Sequence, residues 1–226
     1  MVLTLLLCLL WMRLINLLRA KNLLSSCVSR KIVHIGTGPL FLLCWLLFPD
    51  LEISRYMAAL VPLLIVLQIL LITIGILKDE SSIDAMARNG DKRELLKGPL
   101  FYGVMIVLIT VFFWETPHAI LSLIILCVGD GVADLIGSRS KSKKLIWSKS
   151  KTYAGSLAMF IGATSVSLIF CWIFIAAGSL SLSIINLLPA ILIISLAATL
   201  VESITPSDFD NITVPAAALI ATQILL

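Results

Sequence analysis

Asp130 and Asp134 lie four residues apart near the end of an apolar run, and six Lys or Arg residues follow them by position 151. A spacing of four puts both carboxylates on one helical face. Such oxygen ligands suit Mg²⁺, which takes one or two protein carboxylates and completes its shell with water and phosphate oxygens. A charged side chain at mid-bilayer costs roughly 2.5–3.5 kcal/mol, so acids in such a run point to a bound partner, here a metal-bound nucleotide. Lys149, Lys151, Thr152, Gly155 and Ser156 end the basic stretch. A helix starting near Thr152 turns its free N–H groups and positive dipole end toward the same place. Acids for a metal, lysines for phosphates and a helix start are the parts of a phosphoryl-transfer site. The plainer alternative has the aspartates capping a helix and the lysines forming an interfacial loop.

Three further polar clusters carry candidate residues. Arg30, Lys31 and His34 share one helical face by their spacing. That face can hold a phosphate, or it can be a pair of interfacial anchors beside a satisfied helix-end histidine. In residues 91–99, Arg93, Glu94 and Lys97 share a face, and Gly98-Pro99 ends that turn. Glu94 and Lys97 also read as an ordinary surface pair. Residues 202–211 hold Glu202, Asp208 and Asp210. These acids suit a second metal contact or a base for a substrate hydroxyl; alternatively they belong to a solvated turn around Pro206. Asn211-Ile212-Thr213 matches a glycosylation sequon, which a cytoplasmic, membrane-proximal position makes a chance match.

The elements that must position these groups are set by composition. The chain has 226 residues, 60% hydrophobic and 13% charged, with a mean hydropathy of +1.09. Soluble domains are nearer half apolar and a quarter charged, so this composition excludes one and implies an all-α integral membrane protein. Its continuous apolar runs predict helices rather than a barrel. Seven or eight spans of about 20 residues are expected near 1–18, 33–49, 57–77, 99–114, 119–136, 154–177, 184–202 and 211–226. They form a polytopic bundle with one domain over 1–226. Loops 19–32, 78–98 and 137–153 hold almost all the Lys and Arg, whereas 50–56, 115–118 and 178–183 hold only Arg55. The positive-inside rule makes the basic side cytoplasmic. The first span is followed, not preceded, by basic residues, which argues against a cleaved signal. Five cysteines without CxxC spacing support neither a zinc site nor a disulfide framework.

At these clusters the chain resembles a known family. Gly-Asp-Gly-Val-Ala-Asp-Leu-Ile-Gly (129–137) and Lys-Thr-Tyr-Ala-Gly-Ser (151–156) are similar to signatures of the CTP-dependent polyprenol kinases, in particular the phytol and farnesol kinase group. Arg-Lys-Ile-Val-His-Ile (30–35), Arg-Glu-Leu-Leu-Lys-Gly-Pro-Leu-Phe-Tyr (93–102), Val-Glu-Ser (201–203) and Asp-Asn-Ile-Thr-Val-Pro (210–215) resemble the group's other signatures, in the expected order. The resemblance implies transfer of the terminal phosphate of CTP, or UTP, to a membrane-dissolved isoprenoid alcohol. Phytyl phosphate, which feeds tocopherol synthesis and phytol salvage, is the implied product. Partners are then the nucleoside triphosphate, the prenol and the bilayer, with no nucleic acid.

The roles assigned on this basis are as follows. Asp130 and Asp134, with Asp208, hold Mg²⁺. Lys149 and Lys151 neutralise phosphate charge, with Arg93 as a further contact. Thr152, Gly155 and Ser156 cradle the phosphates, and Lys31 with His34 makes a secondary contact. Glu202, Asp208 or Asp210 supplies a second metal contact or orients the alcohol. A farnesol, geranylgeraniol or dolichol-type kinase and a phosphatidate cytidylyltransferase-like enzyme are alternatives, the latter releasing pyrophosphate. A CDP-alcohol phosphotransferase motif would have Arg where Asp134 stands. A small ion-coupled transporter would need acids central in several spans. The short N-terminus, without a transit peptide, is expected of a cyanobacterial plasma- or thylakoid-membrane protein, with a plastid membrane as the other home.

Overall fold

A computed structural model describes residues 1–87, 90–206 and 209–226. The described residues form α1 (Val2–Ala20), α2 (Ser26–Trp45), α3 (Ile53–Thr73), the short α4 (Glu80–Met86), a 3₁₀ turn at Lys92–Leu96 and α5 (Gly98–Phe112). There follow α6 (Pro117–Ile124), a π-helical segment over Ile125–Asp130, α7 (Gly131–Gly137), α8 (Tyr153–Ala176), α9 (Ile184–Ile204) and α10 (Asp210–Leu225). The α6–π–α7 stretch is one continuous rod, so eight rods stand at the eight expected spans.

Six of these rods are long and apolar enough to cross a membrane. The other two are α2 and α10. Helix α2 carries Arg30, Lys31 and His34 in its first half, and α10 has 16 residues. The protein is an all-α polytopic membrane bundle. Its outer surface fits that setting: Leu and Ile side chains are exposed along α1, α3, α8 and α9. In water such apolar area would be a liability, whereas lipid tails are as apolar as Leu.

The α6–π–α7 rod is the axis. Of its apolar stretch 78% is buried, against 17–39% in the other spanning helices. Residues Ala119 to Asp130 are all buried, and α2, α8 and α10 surround them. A π turn admits an extra residue per turn and resets the side-chain phase along a helix. Here the reset falls between the packed apolar face of α6 and Asp130, which closes the segment.

Close backbone approach tightens the same region. A Cβ added at Gly131 would lie 2.4 Å from Ile35 Cγ1 of α2. Added at Gly155, it would lie 3.0 Å from the Ala133 carbonyl oxygen and 3.3 Å from Gly137 Cα. Helices α7 and α8 thus meet backbone to backbone, as small residues permit between membrane helices.

The eight rods alternate in direction, so all four polar clusters lie at one end of the bundle. The loop 137–153 and the end of α9 meet there, because Trp147 Nε1 donates to Ser203 Oγ at 3.2 Å. Gly131→Ala should therefore force α2 and α7 apart and cost about 1–3 kcal/mol, as overpacking does. Thermal unfolding in detergent measures it, and an unchanged midpoint would contradict the close packing.

Candidate functional site

Each cluster reaches the site because a helix end delivers it. Helix α2 starts at Ser26, with Ser25 Oγ accepting from Val28 N at 3.4 Å. Its first turns then present Arg30, Lys31 and His34. Helix α8 starts at Tyr153, where Thr152 Oγ1 accepts from Gly155 N at 3.1 Å, a standard N-cap for an orphan donor. The preceding loop folds into a small antiparallel clip: Leu145 N donates to Lys151 O at 3.0 Å and Tyr153 N to Lys143 O at 3.2 Å. Helix α9 carries Glu202 in its last turn, and α10 opens with Asp210 and Asn211.

Two ion-pair groups tie these ends together. The Lys31 ammonium pairs with Asp134, joining α2 to α7. Beside it, His34 Nε2 lies 3.7 Å from Asp130 Oδ2 and 3.4 Å from the Leu126 carbonyl oxygen. In the second group Lys151 pairs with Glu202 and, at 3.4 Å, with Asp210, joining α8, α9 and α10. All three residues are buried. Burial alone would lower the Lys151 pKa, but Glu202, Asp130 and Asp210 outweigh it and raise the value above the ordinary lysine 10.5. The ammonium therefore stabilises the fold fully below that pH, and its contribution is lost only as pH climbs through the higher folded value.

Two cavities open at this end. The larger, about 350 Å³, takes in Asp130, Asp134, Asp210 and Asn211 at its polar end and continues among apolar side chains of α1, α2, α3 and α5. The smaller, about 210 Å³, lies between α7 and α8 and is lined by Arg139, Lys151, Thr152, Gly155, Ser156 and Glu202, among others. Arg30, Lys31 and Asp134 border both. The Lys31–Asp134 pair is thus the partition between a mostly apolar chamber and a polar one.

Most of the residues expected from the sequence converge here. Asp130, Asp134, Asp210, Lys31 and His34 line the larger cavity; Lys151, Thr152, Gly155, Ser156 and Glu202 line the smaller. Two do not. Arg93 is exposed on the 3₁₀ turn and borders neither cavity, whereas Glu94 on the same turn and Lys97 at its end border the larger one. Lys149 is also exposed and borders neither, since the clip directs Lys151 inward and Lys149 out. Asp208 lies outside the described residues. Lys151 is not a free phosphate ligand either: two carboxylates hold its ammonium, leaving one of its three donors. Gly155 N is likewise committed to the Thr152 cap.

Several residues at the site were not among those expected. Arg139 follows α7 in the polar chamber. Asn211 is buried with no partner for Oδ1; within an apparent sequon, its side chain carried no signal that it faces inward. Tyr102 O–H donates to the His34 carbonyl at 3.1 Å, and its ring lies 4.3 Å from the His34 ring.

The donor set fits Mg²⁺. Asp130 Oδ1 is buried without a hydrogen-bond partner, on a carboxylate that is only 2% exposed, so an acceptor oxygen stands uncompensated. Among the described residues no three His, Cys, Asp or Glu side chains form a ready-made metal cage. Mg²⁺ seldom uses one: it takes one or two carboxylates beside substrate phosphates.

No family model and no solved structure matches the chain. Curated relatives do. "Probable phytol kinase 1, chloroplastic" of Glycine max is 40% identical over 205 residues, 89% of this chain and 68% of that protein. "Phytol kinase 1, chloroplastic" of Arabidopsis thaliana is 37% identical over 92% of this chain and 69% of its own length. "Farnesol kinase, chloroplastic" of the same plant is 38% identical over 91% and 67%.

Replacing Lys151 with Met should strand Glu202 and Asp210 as buried charges and cost about 3–5 kcal/mol. Thermal unfolding in detergent measures this, and a loss below about 1 kcal/mol would show that the pair is solvent-relaxed.

Proposed function

Because the chain belongs to the phytol and farnesol kinase family, we propose that it transfers the γ-phosphate of CTP to the hydroxyl of a membrane-dissolved prenol, with phytol as the acceptor and phytyl phosphate as the product. The observation that carries this reading is the pair of chambers sharing Arg30, Lys31 and Asp134. A prenol arrives through the bilayer and a nucleotide arrives from water. The two reactants need separate approaches and one common point.

The polar chamber takes the triphosphate. Arg30, Lys31 and Arg139 supply cationic donors, and the N-terminus of α8 adds its dipole. The third donor of Lys151 is available there, with Glu202 fixing its direction. The prenol hydroxyl sits at the polar end of the larger chamber. The bond from the γ-phosphorus to the β-bridging oxygen breaks, a bond from that phosphorus to the prenol oxygen forms, and CDP leaves. Asp210 lines the chamber that holds the hydroxyl and takes its proton, whereas Glu202 borders only the nucleotide chamber. Lys31 is poised between the reacting groups and neutralises the oxygens of the moving phosphoryl, which is where such catalysis gains most. Asp130 and Asp134 would hold Mg²⁺, which when bound offsets phosphate charge.

The site end of the bundle carries the basic loops, which by the positive-inside rule face the cytoplasm or the equivalent nucleotide-holding compartment of an organelle. The relatives' printed names support a plastid membrane.

Membranes containing the protein, CTP and phytol test the reaction. Label in the γ-phosphate should enter the lipid, while label in the α-phosphate should not; the reverse result would identify a cytidylyltransferase. Asp130→Asn should lower turnover by at least about a hundredfold, the scale of losing a key electrostatic group, with the protein still inserted. Retained turnover would remove Asp130 from the site.

A further inference from the structure

The larger cavity is polar at one end only. Past the His34–Tyr102 ring pair it becomes a shaft walled by Val33, Thr37, Pro62, Ile65, Ile69 and Gly103. It stops at Phe41, Val61, Ile106 and Cys8, none more than 5% exposed. Each of the four is the cavity residue farthest from the site end of its helix, so α1, α2, α3 and α5 close the shaft at a common depth. The stop is backed firmly. The Phe41 ring lies 5.9 Å from that of Trp45, which stacks on Trp114 at 4.4 Å.

We infer that this four-residue floor, with Phe41 backed by Trp45, is a chain-length gauge for the prenol. The inference rests on the prenol-kinase reading and goes beyond it by naming the residues that decide which alcohol is accepted. Lys31 and Phe41 are ten residues apart on α2, about 15 Å at 1.5 Å per residue. A carbon chain with bonds of about 1.5 Å advances about 1.3 Å per bond when extended. A chain of about twelve bonds therefore spans from the partition to the floor, and a longer alcohol must bend within the shaft. Of the four floor residues only Cys8 carries a polar atom, a thiol that is a weak donor, so length is sensed mainly by steric fit and apolar contact. Discrimination then falls on the last isoprene unit, where a misfit side chain or an added void acts on one end of the substrate and leaves the hydroxyl's surroundings unaltered.

The test uses the full chain in detergent with prenols of ten, fifteen, twenty and twenty-five carbons. Two quantities are measured for each: kcat/KM with CTP, and the thermal stabilisation that the alcohol gives without CTP. Ile106→Phe raises the floor and should lower the twenty- to ten-carbon ratio in both by at least about tenfold, the discrimination that one misfit methylene produces in an apolar pocket. Phe41→Leu lowers the floor and should shift the preferred alcohol toward greater length. If Ile106→Phe does not fold, Phe41→Leu decides alone. Wild-type length ratios in the folded variants would overturn the gauge while phosphorylation persists. Binding that follows the expected length order without phosphorylation of any alcohol would instead overturn the kinase reading. Neither binding nor phosphorylation would sink both.

Discussion

Unpaired charge is costly inside a helix bundle surrounded by lipid, and this one constraint organises the site end of the molecule. Four carboxylates, Asp130, Asp134, Glu202 and Asp210, come together where five rods end or begin. Each approaches a partner from another element: Lys31 for Asp134, His34 for Asp130, and Lys151, just before α8, for both Glu202 and Asp210. Such pairs repay little of their desolvation in net stability, yet breaking one strands its partner. Their effect is to fix which helix ends are neighbours. The apolar contacts elsewhere in the bundle are non-directional and would tolerate sliding that these pairs do not.

This division of labour separates two tasks of Lys151. By spacing it belongs with Thr152, Gly155 and Ser156 as part of a phosphate cradle. In the fold its first task is to bind α8 to α9 and α10, which leaves one donor for anything else. Further cationic capacity comes from Arg139 and Arg30, although Arg139 Nη1 also donates to the Leu135 carbonyl at 3.2 Å and Arg30 Nη1 to the Ala87 carbonyl at 2.8 Å. The site thus combines a rigid carboxylate frame with a few cations at its rim, and the unpartnered Asp130 Oδ1 stands at the frame's centre.

The fold was largely legible in the sequence because its signals are local. Apolar runs of membrane length and alternating loop charge need only a window of about 20 residues to read, and all eight rods stand where those runs lie. The site was legible as a set of clusters but not as a set of pairs. Lys31 and Asp134 are 103 positions apart and Lys151 and Glu202 are 51, and no spacing rule connects such residues. Helical periodicity fixes which residues share a face, not where that face points. Arg93 shares a helical face with Glu94 and Lys97 by spacing, yet the 3₁₀ turn leaves it outside the cavity that those two border. The π segment is invisible for a related reason: Ile-Leu-Cys-Val-Gly-Asp has nothing in its composition to separate it from an α-helix, and only packing around it selects the wider turn.

Helix α1 borders the apolar shaft through Cys8 and Met12, yet only 17% of its apolar stretch is buried. One wall of the shaft is therefore a single helix whose other side faces hydrocarbon. On the proposed reading, the supply of acceptor is governed by its mole fraction among the lipids rather than by its concentration in water. Adding inert phospholipid at constant protein and prenol would then slow turnover by surface dilution.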